Sequence, residues 1–328
     1  MPARSSALIG FLFAIALGCT SPAAVSQAVP KMPRVGVLYM GTEDNSVGFE
    51  KGMRELGYAP GQNVVLEYRY AEGRPDRLTA LAAQLVSAKV DVILAAGPGP
   101  LAAARQATAT VPIVTVSGSD PVLEGWAKTL ARPAGMVTGL LVTFPELEQK
   151  RLEIMKELLP GASRIAIVIA PLELPDGGSD VSRDINAAAK TLGLQLHLLP
   201  VRSVADLDGL GEALRQRRSQ AVFTVETTFV VANRRRIAEI AAQQGIPVIG
   251  EFTPFGAGEV LIAYGADIND LLRRAAKHVD RVLRGTQPGD LPVERPTKFN
   301  LTVNRRVARG LGITIPQSML LRADHIIE

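Results

Sequence analysis

The sequence predicts an α/β protein made of two doubly wound, parallel-sheet lobes with a cleft between them. Three observations lead there. Apolar, β-branched runs alternate with segments of helical periodicity through residues 35–142, joined by short turns. The pair Phe144-Pro145 breaks this alternation, and it then restarts. The chain has 328 residues, more than one such domain usually needs. Hydrophobic residues make up 47% and aromatic residues only 5%, so Ala, Val and Leu must fill the cores. That composition suits helices packed on both faces of a sheet.

The elements follow in order. Residues 35–39 (VGVLY) form a first strand that ends at Met40-Gly41-Thr42. A helix over 47–56 places Phe49, Met53 and Leu56 on about one face, with Gly57 as its stop. Residues 64–70 alternate as a second strand. A helix from Asp76 carries Leu78, Leu81, Leu85 and Val86 at helical spacing. Residues 90–95 are a third strand, which ends in a turn at Gly97-Pro98-Gly99-Pro100, and a helix through 102–108 follows. Ile113-Val114-Thr115-Val116 is a buried fourth strand. It breaks at Ser117-Gly118-Ser119-Asp120-Pro121, where Ser119 or Asp120 is placed to N-cap a helix with Leu123, Trp126 and Leu130 on one face. Residues 137–142 close this half as a strand.

The second half begins with a charged amphipathic helix over 146–158. Strand 165–169 and a Pro- and Gly-containing loop, 171–178, come next. Helix 181–192, strand 194–199, helix 204–217, strand 221–225, helix 230–244 and strand 247–250 continue the pattern. Residues 261–264 form another strand, leading through Gly265-Ala266-Asp267 to helix 269–283. After a proline-rich linker, 287–296, residues 299–303 are a last strand. The expected division is a leader over 1–28, one lobe from 29–143 plus about 265–295, and a second from 144–264 plus about 296–328. The chain is expected to cross between lobes near 142–145, 250–260 and 292–297.

The N-terminus has the form of an export signal. Arg4 precedes a short apolar run over 7–17, too short for a comfortable membrane span. Two processing readings stand side by side. Ser26-Gln27-Ala28 is a small-x-small cleavage site, giving a mature chain from about Val29. Alternatively, Ala16-Leu17-Gly18-Cys19 has the form of a lipobox, with Cys19 lipidated. Cys19 is the only cysteine, so no internal disulfide can form and the mature domain has no thiol nucleophile.

The formal charge of +4 is mild for this length and calls for no nucleic-acid partner. His197, His278 and His325 are scattered without metal-ligand spacing, and no G-x-S-x-G motif occurs. Gly97-Pro98-Gly99 lacks the third glycine of a dinucleotide loop, and its prolines remove donors that a phosphate would use. No cofactor is expected. The runs Arg215-Gln216-Arg217-Arg218 and Arg234-Arg235-Arg236 read as solvated helix faces, with docking to a permease as the other possibility.

Dispersed short motifs add a resemblance. They are Arg34 to Tyr39, Glu55-Leu56-Gly57-Tyr58 with Gly61-Gln62-Asn63-Val64, Glu67-Tyr68-Arg69, Asp120-Pro121-Val122, and Leu130-Ala131-Arg132-Pro133. Ala71-Glu72-Gly73, Val111 to Val114, Arg234 to Ala238, Tyr264-Gly265, Asp290 to Lys298 and Leu311 to Pro316 complete the set. With them the sequence resembles the substrate-binding protein family of ABC importers, which has the type I periplasmic-binding-protein fold. One departure is Arg132-Pro133-Ala134-Gly135-Met136, where the family commonly has Gly-Gly-Asn after the proline. The resemblance implies a periplasmic receptor, soluble or anchored through Cys19, that delivers a small solute to a membrane permease. It also implies amino acids, aromatic ones included, among the ligands; the expectation is a monomer that traps a small polar solute, an amino acid or a small carboxylate, by hinge closure without covalent chemistry. A ligand-sensing module for a membrane receptor, or an extracytoplasmic α/β enzyme, are the alternative readings.

In such a fold the strand ends that line the cleft hold the ligand. Those are Gly41, Thr42, Gly97, Pro98, Ser117, Gly118, Ser119 and Asp120 early in the chain, and Glu226, Thr227, Thr228 and Asp267 later in it. An α-carboxylate needs N–H and hydroxyl donors, which Ser117, Ser119 and Thr228 supply with the helix dipole. An α-ammonium needs a carboxylate: Asp120, Glu226 or Asp267. Asp120 and Asp267 have a plainer alternative as helix caps.

Overall fold

A computed structural model of the protein describes residues 32–41, 47–118, 120–142, 145–171, 179–225, 227–251 and 259–328. The first lobe is built from strands β1 (Arg34–Tyr39), β2 (Val65–Tyr70), β3 (Val92–Ala96), β4 (Ile113–Ser117) and β5 (Val137–Leu141). They form one sheet in the order β2-β1-β3-β4-β5, and every pair is parallel. Helices α1 (Val47–Glu55), α2 (Leu78–Ser87) and α3 (Pro98–Ala107) return the chain between strands. Helices α2 and α3 cover one face through Leu81, Leu85, Leu101 and Ala104. The other face, with Val35, Val37, Val92, Leu94 and Val114, takes α1 and a helix from much later in the chain.

The second lobe starts with α4 (Pro145–Leu158) and continues through β6 (Arg164–Ile169), α5 (Ser179–Thr191), β7 (Gln195–Pro200), α6 (Val204–Asp208), α7 (Leu210–Gln216), β8 (Ala221–Thr224), α8 (Thr228–Gln243), β9 (Val248–Gly250) and β10 (Ile262–Ala266). The chain then leaves for the first lobe as α9 (Ile268–Leu283) and returns as β11 (Phe299–Asn304), α10 (Arg305–Leu311), α11 (Gln317–Arg322) and β12 (His325–Ile327). This sheet runs β12-β11-β10-β9-β8-β6-β7. Its central pairs are parallel, but β10 and β11 are antiparallel. The reason is local. The chain exits at Ala266 and re-enters opposite it at Phe299, so no crossover helix turns β11 around within the sheet.

Several sequence expectations are corrected. No helix follows Asp120. Its carboxylate accepts from the N–H groups of Val122 (2.7 Å) and Leu123 (3.1 Å), and one turn forms. Gly125 then takes φ 68°, which ends the turn and lets Trp126 reach the core. Leu123 is left exposed. The expected turn at Gly97-Pro98-Gly99-Pro100 is already the start of α3, which begins at Pro98 with Gly97, at φ 110°, as its cap. Prolines are at home in a first turn, where N–H groups lack helical partners. The expected single helix over 204–217 is two helices that meet at Gly209. Residues 252–258 of the expected crossing near 250–260 lie outside the described residues; β9 and β10 on either side of them pair within the second sheet, and the chain leaves that sheet at 266–268. The departure at Ala134 has a physical trace, because Ala134 adopts φ 59°, a conformation that glycine adopts without strain.

Helix α1 and α9 touch at two glycines. A Cβ on Gly48 would lie 2.5 Å from the Asn269 carbonyl oxygen, and one on Gly52 would lie 2.3 Å from that of Arg273. Gly→Ala inside a helix ordinarily gains about 1 kcal/mol. Here the contact reverses the sign: Gly52→Ala should cost about 1–3 kcal/mol through overpacking. Gly310→Ala in α10, where a Cβ meets nothing within 4 Å, should gain stability instead. Urea unfolding of the two variants checks this opposition.

Candidate functional site

All strands of the first sheet end at one edge because they are parallel. Register pairs Tyr39 with Tyr70 and Ala96, Ala96 with Val116, and Ser117 with Leu141. Gly41, Gly97, Pro98, Ser117, Gly118 and Asp120 therefore share that edge. Ser117 is fully buried at the end of β4, and its carbonyl accepts from Val142 N–H (2.9 Å). The Gly97 N–H is used by Val116 O (2.8 Å), and Pro98 and Pro100 have none. The start of α3 is thus poor in donors, and Gly99 N–H is what it offers. Asp120 spends its carboxylate on its own turn, as a cap does. Thr42 and Ser119 lie outside the described residues. Beneath the edge, Tyr39 stacks on Tyr70 (ring centroids 5.9 Å apart) and Tyr70 on Tyr68 (5.7 Å). Burial first, then Tyr70 and Glu50, push the Tyr39 hydroxyl above the ordinary phenol value, so it stays neutral.

The corresponding edge of the second sheet brings together the residues that follow β6, β8, β9 and β10. Thr227 is buried and caps α8, its hydroxyl accepting from Val230 N–H (3.3 Å). Asp267 caps α9 in the same way through Asp270 N–H (3.0 Å). Thr228 opens α8; its side chain, and the whole of Glu226, lie outside the described residues.

Sequence reasoning missed three charged residues at this edge. Arg151 on α4 is fully buried; its guanidinium meets Glu148, lies 3.7 Å from Glu251 and sits 4.6 Å above the Phe223 ring. Its Nη1 donates to Thr224 O (3.4 Å). Glu148 and Glu251 are also buried. Glu251 directly follows β9, and its carbonyl oxygen would be 2.0 Å from a Cβ on Gly265, so that glycine lets β10 lie against it. The signal was present: Leu147, Arg151, Met155 and Leu158 share one helical face, an arginine within an apolar stripe.

The crossings between lobes are tied together. Asp267 N–H donates to Lys298 O (3.1 Å), joining the chain that leaves the second sheet to the chain that returns. Glu294 forms a parallel bridge with Leu140, beside the end of β5, and its carboxylate meets Arg274 of α9. Asp270, one turn into α9, bonds Arg273 (2.8 Å) and faces Lys298 (3.7 Å) and Arg274 (4.0 Å). Burial works against its ionisation. The hydrogen bond and charge of Arg273, with the charges of Lys298 and Arg274, outweigh that and hold its carboxyl below the usual value.

Among the described residues no group of three or more His, Cys, Asp or Glu is arranged to hold a metal ion, and no helix is long and apolar enough to cross a membrane. Residues 40–327 match the family described as ABC transporter substrate binding protein. The chain belongs to that family. A substrate-binding protein of this kind works outside the cytoplasm, holding a small solute for an ABC permease. The chain is 25% identical over 285 residues to a tyrosine-binding protein of Clostridioides difficile, covering 85% of this chain and 78% of that one. Among solved structures it is similar to a conserved domain protein from Vibrio cholerae, with TM-score 0.82, 27% identity, and 90% and 100% of the two chains covered. A Streptococcus pneumoniae ABC domain in complex with L-Trp gives TM-score 0.79 at 22% identity, over 90% and 99%.

Two outcomes follow for the site. Arg151→Met leaves Glu148 and Glu251 buried together without their shared cation and should destabilise the fold by about 3–5 kcal/mol. Adding Glu148→Gln and Glu251→Gln should recover part of that loss in urea unfolding. Asp270 has a lowered folded pKa, so its contribution is complete above the unfolded value. It is lost as pH falls below about 4. In acid titrations of stability, wild type should therefore fall more steeply through that window than Asp270→Asn.

Proposed function

We propose that this protein captures an amino acid at the two C-terminal sheet edges and delivers it to an ABC permease. The observation that carries the reading is the family membership of a chain whose sheets each gather their strand ends at one edge and are linked by tied crossings. The tyrosine-binding relative and the L-Trp complex support an amino acid, aromatic side chains included. The caps at Asp120, Thr227 and Asp267 narrow the polar candidates. The solute carboxylate is assigned to Gly41, Thr42, Ser117, Gly118 and Ser119, and its ammonium to Glu226. A ligand that touches both edges favours the closed arrangement, with the crossings as hinge. The protein acts as a monomer, reaches the periplasm through its 1–28 leader and is released near Val29 or anchored at Cys19.

The test is calorimetric titration with L-tyrosine, L-tryptophan and the other amino acids, beside the carboxamide and N-acetyl derivatives of whichever binds. Each derivative removes one charged hydrogen-bonding end and should weaken binding by about 1.5–3 kcal/mol, roughly tenfold to more than a hundredfold. Glu226→Gln should weaken the parent amino acid but not a derivative that already lacks the ammonium. Equal affinity for parent and derivatives, or no amino acid bound at all, overturns the reading.

A further inference from the structure

The two arginine runs of the sequence differ in the structure. In α8, Arg234 donates to Val231 O (3.0 Å), Arg235 pairs with Glu239 (2.8 Å), and Arg236 pairs with Asp208. In the other run Arg215 pairs with Glu212, but Arg217 and Arg218 have no carboxylate partner among the described residues. Neither does Arg164, which opens β6.

Arg164, at the start of β6, and the turn with Arg217 and Arg218, just before β8, lie together at the end of the second sheet opposite the edge that follows β6, β8, β9 and β10. The turn after α7 is fixed by backbone bonds from Arg217 to Ala213 (3.1 Å), Arg218 to Arg215 (2.9 Å) and Ser219 to Leu214 (3.0 Å). Arg164 Nε donates to Arg218 O (2.9 Å), which draws its guanidinium against that turn. Gln220 Oε1 accepts from the N–H groups of Ser163 (3.0 Å) and Arg164 (3.1 Å), locking the start of β6 to the same loop. On β7, His197 Nε2 lies 2.7 Å from the Ser219 hydroxyl. The charges of Arg217 and Arg164 both act on His197; like charges brought onto one ring repel one another, and an anion removes that cost. Guanidinium forks from separate elements suit an oxyanion with oxygens on several sides, as in phosphate or sulfate, better than a flat carboxylate.

We propose that Arg164, Arg217 and Arg218, with the Ser219–His197 pair, form a binding site for a tetrahedral oxyanion group, phosphate or sulfate in type. The site is separate from the amino-acid edge and does not depend on it. His197 reports its state. Burial, and then the charges of Arg217 and Arg164, hold the imidazole below its ordinary value. An anion that neutralises those charges must raise it.

The experiment is NMR titration of the histidine ring protons in the mature protein, in sulfate and in chloride at equal ionic strength. Sulfate should raise the His197 midpoint by about half a unit or more, leaving His278 and His325 unmoved. Arg217→Gln should raise the midpoint in chloride and remove the sulfate response, while Arg235→Gln should preserve the response. Flotation with phosphatidylglycerol–phosphatidylcholine vesicles, against phosphatidylcholine alone, identifies the source. Binding to the anionic vesicles that Arg217→Gln abolishes assigns the oxyanion to a lipid headgroup. A sulfate response without vesicle binding assigns it to a free ion. No difference between sulfate and chloride, together with no preference for anionic vesicles, overturns the site.

Discussion

The hydrogen bond from Asp267 N–H to Lys298 O joins the chain leaving the second sheet to the chain re-entering it. Much of the architecture depends on that adjacency. Because the exit and return are neighbours, β11 must run antiparallel to β10, and the excursion between them must be a closed loop based at one point. That loop contains α9, which covers a face of the first sheet, and residues 292–295, which extend along β5. The charges around Asp270 lie at the base of this loop. An acid one turn into α9, bracketed by Arg273, Arg274 and Lys298, couples helix and returning strand through electrostatics as well as backbone.

The second lobe treats charge differently. Its central ionic group is sealed from solvent, with Arg151 between two carboxylates and over an aromatic ring. Such groups add little net stability compared with well-packed apolar residues, because desolvation offsets the attraction. Their geometric demand is strict, however. Arg151 needs α4, the end of β8 and the residue after β9 together, at the edge where the parallel strands of the second sheet end. An apolar core would tolerate sliding among them; a buried guanidinium with specific oxygen partners does not.

Much of this fold was legible because parallel, doubly covered strands are apolar in succession. Ile113 to Val116 and Ile165 to Ile169 announce themselves without any knowledge of their partners. Spacing alone misled at Leu123, Trp126 and Leu130, where a left-handed glycine stops the turn before a helix can propagate. β12 escaped notice because three residues on an exposed edge carry no periodic signal. That Gly41, Gly97, Ser117 and Gly118 lie together followed from the rule that parallel strands all end at one edge. What their side chains do could not be read, because capping and ligand binding require the same residue types, and Thr227 and Asp267 show capping. Arg151 was overlooked because a charged helix face reads as solvated unless its phase against Leu147 and Met155 is followed.

The contact between α1 and α9 sets the order in which this protein can become compact. The first sheet is complete by Leu141, yet one of its faces gets its lid from residues 268–283, more than a hundred positions downstream. Until that helix arrives, Val35, Val37, Leu94 and Val114 have nothing to bury against on that side. The N-terminal half therefore has no independent folding endpoint, and its closure is a long-range event of high contact order. This late lid keeps the leading half loose until nearly all of the polypeptide has been made.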